Sequence, residues 1–117
     1  MTSSERRREL RATYQQQASA AGVYALRNTA TGRVLVASTL NLPAVRNKLD
    51  FAKSTQTPGA LDHRVAADVR AFGVEAFEVE VLDTLEIGPS MTPDDVRADL
   101  GALEQLWREN LAETPQY

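Results

Sequence analysis

The sequence predicts an α+β fold: a small three-stranded sheet, antiparallel or mixed, flanked by helices. Three observations predict it. Residues 22–28 and 33–39 are short apolar runs rich in β-branched residues, and the small polar Thr29-Ala30-Thr31-Gly32 joins them, the signature of a β-hairpin. Residues 77–82 alternate apolar and acidic side chains, as a strand with one wet face does. Elsewhere the apolar residues recur at three- and four-residue spacing, the period of a helix packed by one side.

The two runs of the hairpin are apolar on successive positions as well as alternate ones. Both of its faces are therefore covered, which makes it the centre of the sheet. Ahead of it, residues 3–17 form a polar helix or arm with Arg6, Arg7, Arg8 and Arg11, anchored only by Leu10 and Tyr14. Residues 18–21 are a small-residue linker. After the hairpin, Asn41 as cap and Pro43 in the first turn start a helix. Its stripe is Leu42, Val45, Leu49 and Ala52, and it runs to about Thr55. Thr57-Pro58-Gly59 breaks it. A second helix is expected from about Ala60 to Phe72, with Leu61, Val65, Val69 and Phe72 inward and Gly73 as terminator. The strand at 77–82 pairs beside the hairpin. Thr92-Pro93-Asp94-Asp95 then opens a last helix, with a capping hydroxyl, proline at the first position and carboxylates in the positive first turn. Val96, Leu100, Leu103, Trp107 and Leu111 follow on one side and carry Trp107 into the core. Residues 114–117 are expected to fray.

The chain has 117 residues and 43% hydrophobic content, enough for one domain with one modest core. Cysteine is absent and histidine occurs once, at His63, which excludes disulfides, thiolate metal sites, a cysteine nucleophile and a multi-histidine metal centre within one chain. No apolar run approaches about 20 residues, so no membrane partner is expected, and the lack of a signal-like segment leads to an expectation of cytoplasmic residence. Charge is unevenly laid out. Residues 1–74 carry 11 Lys/Arg against 5 Asp/Glu, and residues 75–117 carry 2 against 11. A basic front suits a polyanion, although a pI of about 5.1 equally suits intramolecular pairing and solvated helix faces. Oligomeric state is open.

Gly22-Val23-Tyr24 on the first run, with Leu35-Val36-Ala37 and Ser38-Thr39 on the second, resembles the paired motifs of the GIY-YIG nuclease superfamily. Gly73-Val74-Glu75-Ala76-Phe77 before the third strand and Leu103-Glu104-Gln105-Leu106-Trp107 on the last helix extend the likeness. It covers about Ala21 to Glu113, so the expected layout is a basic arm at 1–20, a GIY-YIG-like domain at 21–113 and a tail at 114–117. The order strand, strand, helix, helix, strand, helix matches that family.

The resemblance implies phosphodiester hydrolysis assisted by one Mg²⁺ ion, which neutralises charge on the phosphate and the leaving oxygen. Carried over by position, Tyr24 matches the tyrosine that helps activate the nucleophile, and Glu104 matches the metal ligand. Leu35 stands where the second tyrosine belongs, Val45 where an arginine belongs, and Leu49 where a histidine often stands. Arg46 is next to the arginine slot but turned by about 100° on the helix, and His63 on the following helix is the remaining candidate. Arg27, Arg33, Lys48 and Lys53 are candidate nucleic-acid contacts. Each has a plainer reading. Tyr24 serves as a packed aromatic with its hydroxyl at the rim, Glu104 pairs with Arg108 at i, i+4, and His63 is a solvated helix residue. The expectation is a degenerate member: a nucleic-acid-binding or interaction module with little or no cleavage, and no resident cofactor. The alternatives are a Mg²⁺-dependent endonuclease hydrolysing DNA, with Mg²⁺ at Glu104, and a structural or protein-binding domain.

Overall fold

The computed structural model describes residues 20–57 and 61–117. The basic arm expected at 3–17, and the Pro58-Gly59 break, lie outside them. Strand β1 (Ala21–Asn28) is the middle of an antiparallel three-stranded sheet, between β2 (Val34–Thr39) and β3 (Phe77–Leu85). Helix α1 (Leu42–Thr55) follows β2. A 3₁₀ turn (His63–Val65) leads into α2 (Ala66–Phe72), and a second (Val74–Ala76) leads into β3. Helix α3 (Pro93–Asn110) closes the chain. The class is α+β.

Local chemistry accounts for the boundaries. Asn41 accepts from the Ala44 amide at 3.1 Å and caps α1. Thr92 and Asp95 form a reciprocal capping box, with the Thr92 amide donating to Asp95 at 3.0 Å and the Asp95 amide to Thr92 at 3.1 Å. Gly73 ends α2 at φ 83°, ψ 157°, a backbone that only glycine adopts without strain.

The sheet is covered on both sides. Leu49 and Ala52 of α1, with Val65, Val69, Val74 and Phe77, pack on Leu26 and Leu35. On the other face Leu103, Trp107 and Leu111 cover Val23, Ala25, Val34 and Val36, and Val96 and Leu100 cover Ala21. A β-bulge on β3 serves this second face. Val23 pairs with Asp83 but Tyr24 pairs with Val81, so Leu82 and Asp83 both turn toward α3. There the Trp107 indole donates to Asp83 at 3.2 Å, which locks α3 to the sheet.

Three expectations need correction. The helix expected from Ala60 to Phe72 is shorter: Asp62 caps a 3₁₀ turn by accepting from the Arg64 amide, and the α-helix begins only at Ala66. Phe72 is 47% exposed rather than inward, whereas Leu61, Val65 and Val69 of that stripe pack over the sheet, because the 3₁₀ start and the short α2 turn the last position away. The tail 114–117 is docked rather than frayed. The Val34 amide donates to the Pro115 carbonyl at 2.9 Å and the Tyr117 amide to the Val34 carbonyl at 3.0 Å, so the tail covers part of the open edge of β2. The Tyr117 hydroxyl then donates to Asp68 at 2.6 Å, and Arg33 lies over the Tyr117 ring, 4.5 Å from its centre.

Candidate functional site

β1 places Tyr24 on the α1/α2 face, beside Ala37 of β2. It lines a hollow of about 260 Å³ whose polar members are Tyr24, Ser38, Thr39, Lys48 and Asp62. The remaining wall is apolar: Leu26, Val45, Leu49, Leu61 and Val79. Glu104 arrives from α3, on the opposite face of the sheet, but reaches the same end of β2. There the Ser38 hydroxyl donates to its carboxylate at 3.4 Å, and Ser38 also lines the hollow. Glu104 is paired with Arg108 at 3.3 Å, and Arg108 donates in turn to the Val36 carbonyl at 3.2 Å. The helix-surface pair expected from the i, i+4 spacing is thus present and tied to the edge of β2.

Burial, then Asp62, raises the Tyr24 phenol above its ordinary range; Arg64 opposes this and Glu104 adds to it. At neutral pH the phenol is a hydrogen-bond donor rather than a phenolate. Asp62 is held down to about 2, first by hydrogen bonds from the Arg64 guanidinium, made at 3.0 and 2.9 Å. Neither Asp62 nor Arg64 is among the residues that the sequence singles out. The only local signal is an acid two residues ahead of a potential amide donor, a pattern common to many turns.

The other predicted residues scatter. Arg46 is exposed and outside the hollow, with Val45 in the wall instead, as a one-residue step on a helix requires. His63 has 92% of its side chain exposed, its Nδ1 3.6 Å from Asp62, and does not line the hollow. Lys48 does line it, whereas Lys53 is half-buried one turn later on α1. Arg27 is paired with Glu80 at 2.9 Å, on the side of the sheet away from Tyr24. Arg33 sits at the hairpin end, 4.0 Å from Asp68. The four basic candidates therefore do not converge on one surface. Leu35 and Leu49 are core residues, 2% and 4% exposed.

A larger hollow of about 790 Å³ lies at the start of β1, between Leu85, Ile87 and Met91. Among the described residues its polar side chains are Thr84 and Glu86. No protein-family model, curated protein or solved structure matches the chain.

The Asp62–Arg64 pair makes stability depend on acid. The Asp62 carboxyl is depressed from 3.8 to about 2 in the fold. Its contribution is therefore complete above about pH 4 and lost as pH falls from about 4 to about 2. Since Arg64 is 41% exposed, solvent screening reduces the effect to about 1 kcal/mol. Urea unfolding of the wild type and Asp62→Asn should show a gap of that size at pH 5 that closes toward pH 2. A gap unchanged across that interval would refute the assignment.

Proposed function

We propose that the chain is a degenerate GIY-YIG-type domain that binds nucleic acid and cleaves it little or not at all. The observation that carries this reading is the make-up of the Tyr24 hollow. Val45 and Leu49 stand in its wall where the resemblance expects charged or polar groups, and Leu35 is buried in the core below. Loss of one transition-state charge stabiliser costs about 10²–10³-fold in rate, so joint loss brings turnover near background. What is left suits binding: a protonated phenol, a lysine and a guanidinium beside an apolar wall.

The donors fit a resident Mg²⁺ ion poorly. Magnesium needs about six oxygens and usually one or two carboxylates. Glu104 already shares its carboxylate with Arg108 and Ser38, and among the described residues no three His, Cys, Asp or Glu side chains gather. The observation favouring a surviving endonuclease is that Ser38, which bonds to Glu104, also lines the Tyr24 hollow, although Tyr24 and Glu104 come from opposite faces.

Incubation with plasmid and single-stranded DNA, with Mg²⁺ or Mn²⁺, separates the readings. The expected result is salt-sensitive retention of DNA with no cleavage above a protein-free control. Cleavage that disappears in Glu104→Ala would establish the nuclease instead, and failure to retain DNA at low salt would leave a protein-binding or structural domain.

A further inference from the structure

We propose that Arg64, oriented by Asp62, acts with Lys48 to grip the phosphodiester backbone of a nucleic acid strand at the Tyr24 hollow. The inference rests on the nucleic-acid-binding reading above and assigns the groups that make the contact. Arg64 turns two of its five N–H donors, Nε and one on Nη2, onto the two oxygens of Asp62. The planar fork is thereby held in one orientation at little further entropy cost, and its remaining donors stay available among the described residues. Asp62 is itself part of the hollow's wall, so the guanidinium it holds stands beside that wall.

Charge balance favours an anion. The Asp62–Arg64 and Glu104–Arg108 pairs are each neutral, so Lys48 leaves the hollow with one net positive charge. The Tyr24 hydroxyl supplies a neutral donor. A hollow of about 260 Å³ falls just below the range of drug-sized ligand pockets, about 300–1,000 Å³. That is room for one sugar-phosphate unit, with Leu26, Val45 and Leu61 against its apolar parts. Arg64 comes from the turn before α2 and Lys48 from α1, so two separate elements close on the same space.

The test is fluorescence anisotropy of a labelled single-stranded oligonucleotide and its duplex across a salt series. Wild type, Arg64→Ala, Arg64→Lys and Arg97→Ala are compared, with inorganic phosphate as a separate titrant. Arg97 pairs with Asp94 on the far surface of α3 and serves as the control. Arg64→Ala should weaken binding about 5–10-fold and lower the slope of log affinity against log salt by about one, as expected when one fewer phosphate is neutralised. Arg64→Lys should keep the slope but lose part of the affinity, because it retains charge without the fork. Thermal unfolding of each variant separates a weakened grip from a damaged fold. An unchanged slope and affinity in Arg64→Ala, with wild type still binding, overturns this inference and leaves the nucleic-acid reading standing. Wild type that ignores both oligonucleotides overturns both, and a response to inorganic phosphate alone would assign the hollow to a free phosphate compound.

Discussion

Gly22→Ala should lower the free energy of unfolding by about 3 kcal/mol, the upper part of the range for overpacking a filled interior. For a domain of this size that is a fall in Tm on the order of 15 °C. A Cβ on Gly22 would run into the backbone carbonyl oxygen of Asp83 and stand 2.9 Å from Leu42 Cδ1 and 3.1 Å from Thr84 Cα. A leucine methyl can turn aside, but the carbonyl belongs to the β3 bulge and can move only if β1 and β3 separate. Separation would carry Asp83 away from Trp107 and loosen α3, and with it the Glu104 contact to Ser38. Gly101→Ala is the matched control. It lies in the interior of α3 with nothing within 4 Å of the added Cβ, so it should stabilise the chain by about 0.5–1 kcal/mol through helix propensity alone. Chemical denaturation of the two variants reads both signs. A mild loss in Gly22→Ala would show that the two strands are less tightly joined than the register requires.

The second large effect is expected at Asn28, the one buried polar side chain among the described residues. Its amide donates to the Tyr117 hydroxyl at 3.2 Å and to Asp68 at 3.4 Å, and its carbonyl accepts from the Ala30 amide at 3.0 Å. The group thus ties together the hairpin turn, α2 and the tail. Asn28→Ala removes those bonds and leaves an Asp68 carboxylate that is 22% exposed short of a donor, a loss of about 2–3 kcal/mol. Tyr117→Phe should cost less, about 1–2 kcal/mol, since Asp68 keeps Asn28 and the nearby Arg33. Its phenol is raised by burial and by its bond to Asp68, so it stays a donor through neutral pH. Hydrogen exchange at the Val34 amide, which bonds to Pro115, should accelerate in both variants if the tail is released. Protection retained in Asn28→Ala would mean that the tail docks through its backbone bonds alone.

The positions of the strands and of two helices are legible in the residues, because caps, glycine terminators and apolar periodicity are local. Asn41, Gly73 and the Thr92–Asp95 box make their bonds within four residues of themselves, and those ends lie where the sequence puts them. The tail departs from expectation for the opposite reason. Thr114-Pro115-Gln116-Tyr117 has no periodicity of its own, and its order comes from the edge of β2 and from Asp68, neither of which is near it in sequence.

By itself the sequence determined the α+β class and the hairpin that supplies two of the three strands. Tertiary structure alone decided which charged groups share a space. Ser38 and Glu104 stand 66 positions apart, yet meet where β2 ends, on the α3 face of the sheet. Arg46 is turned to solvent, while Asp62 and Arg64 arrive from a 3₁₀ turn and its cap in a stretch whose apolar spacing reads as helix. A helix step sets a side chain's direction locally, but whether anything lies in that direction depends on how distant segments pack. The chemistry of the hollow is a property of that packing.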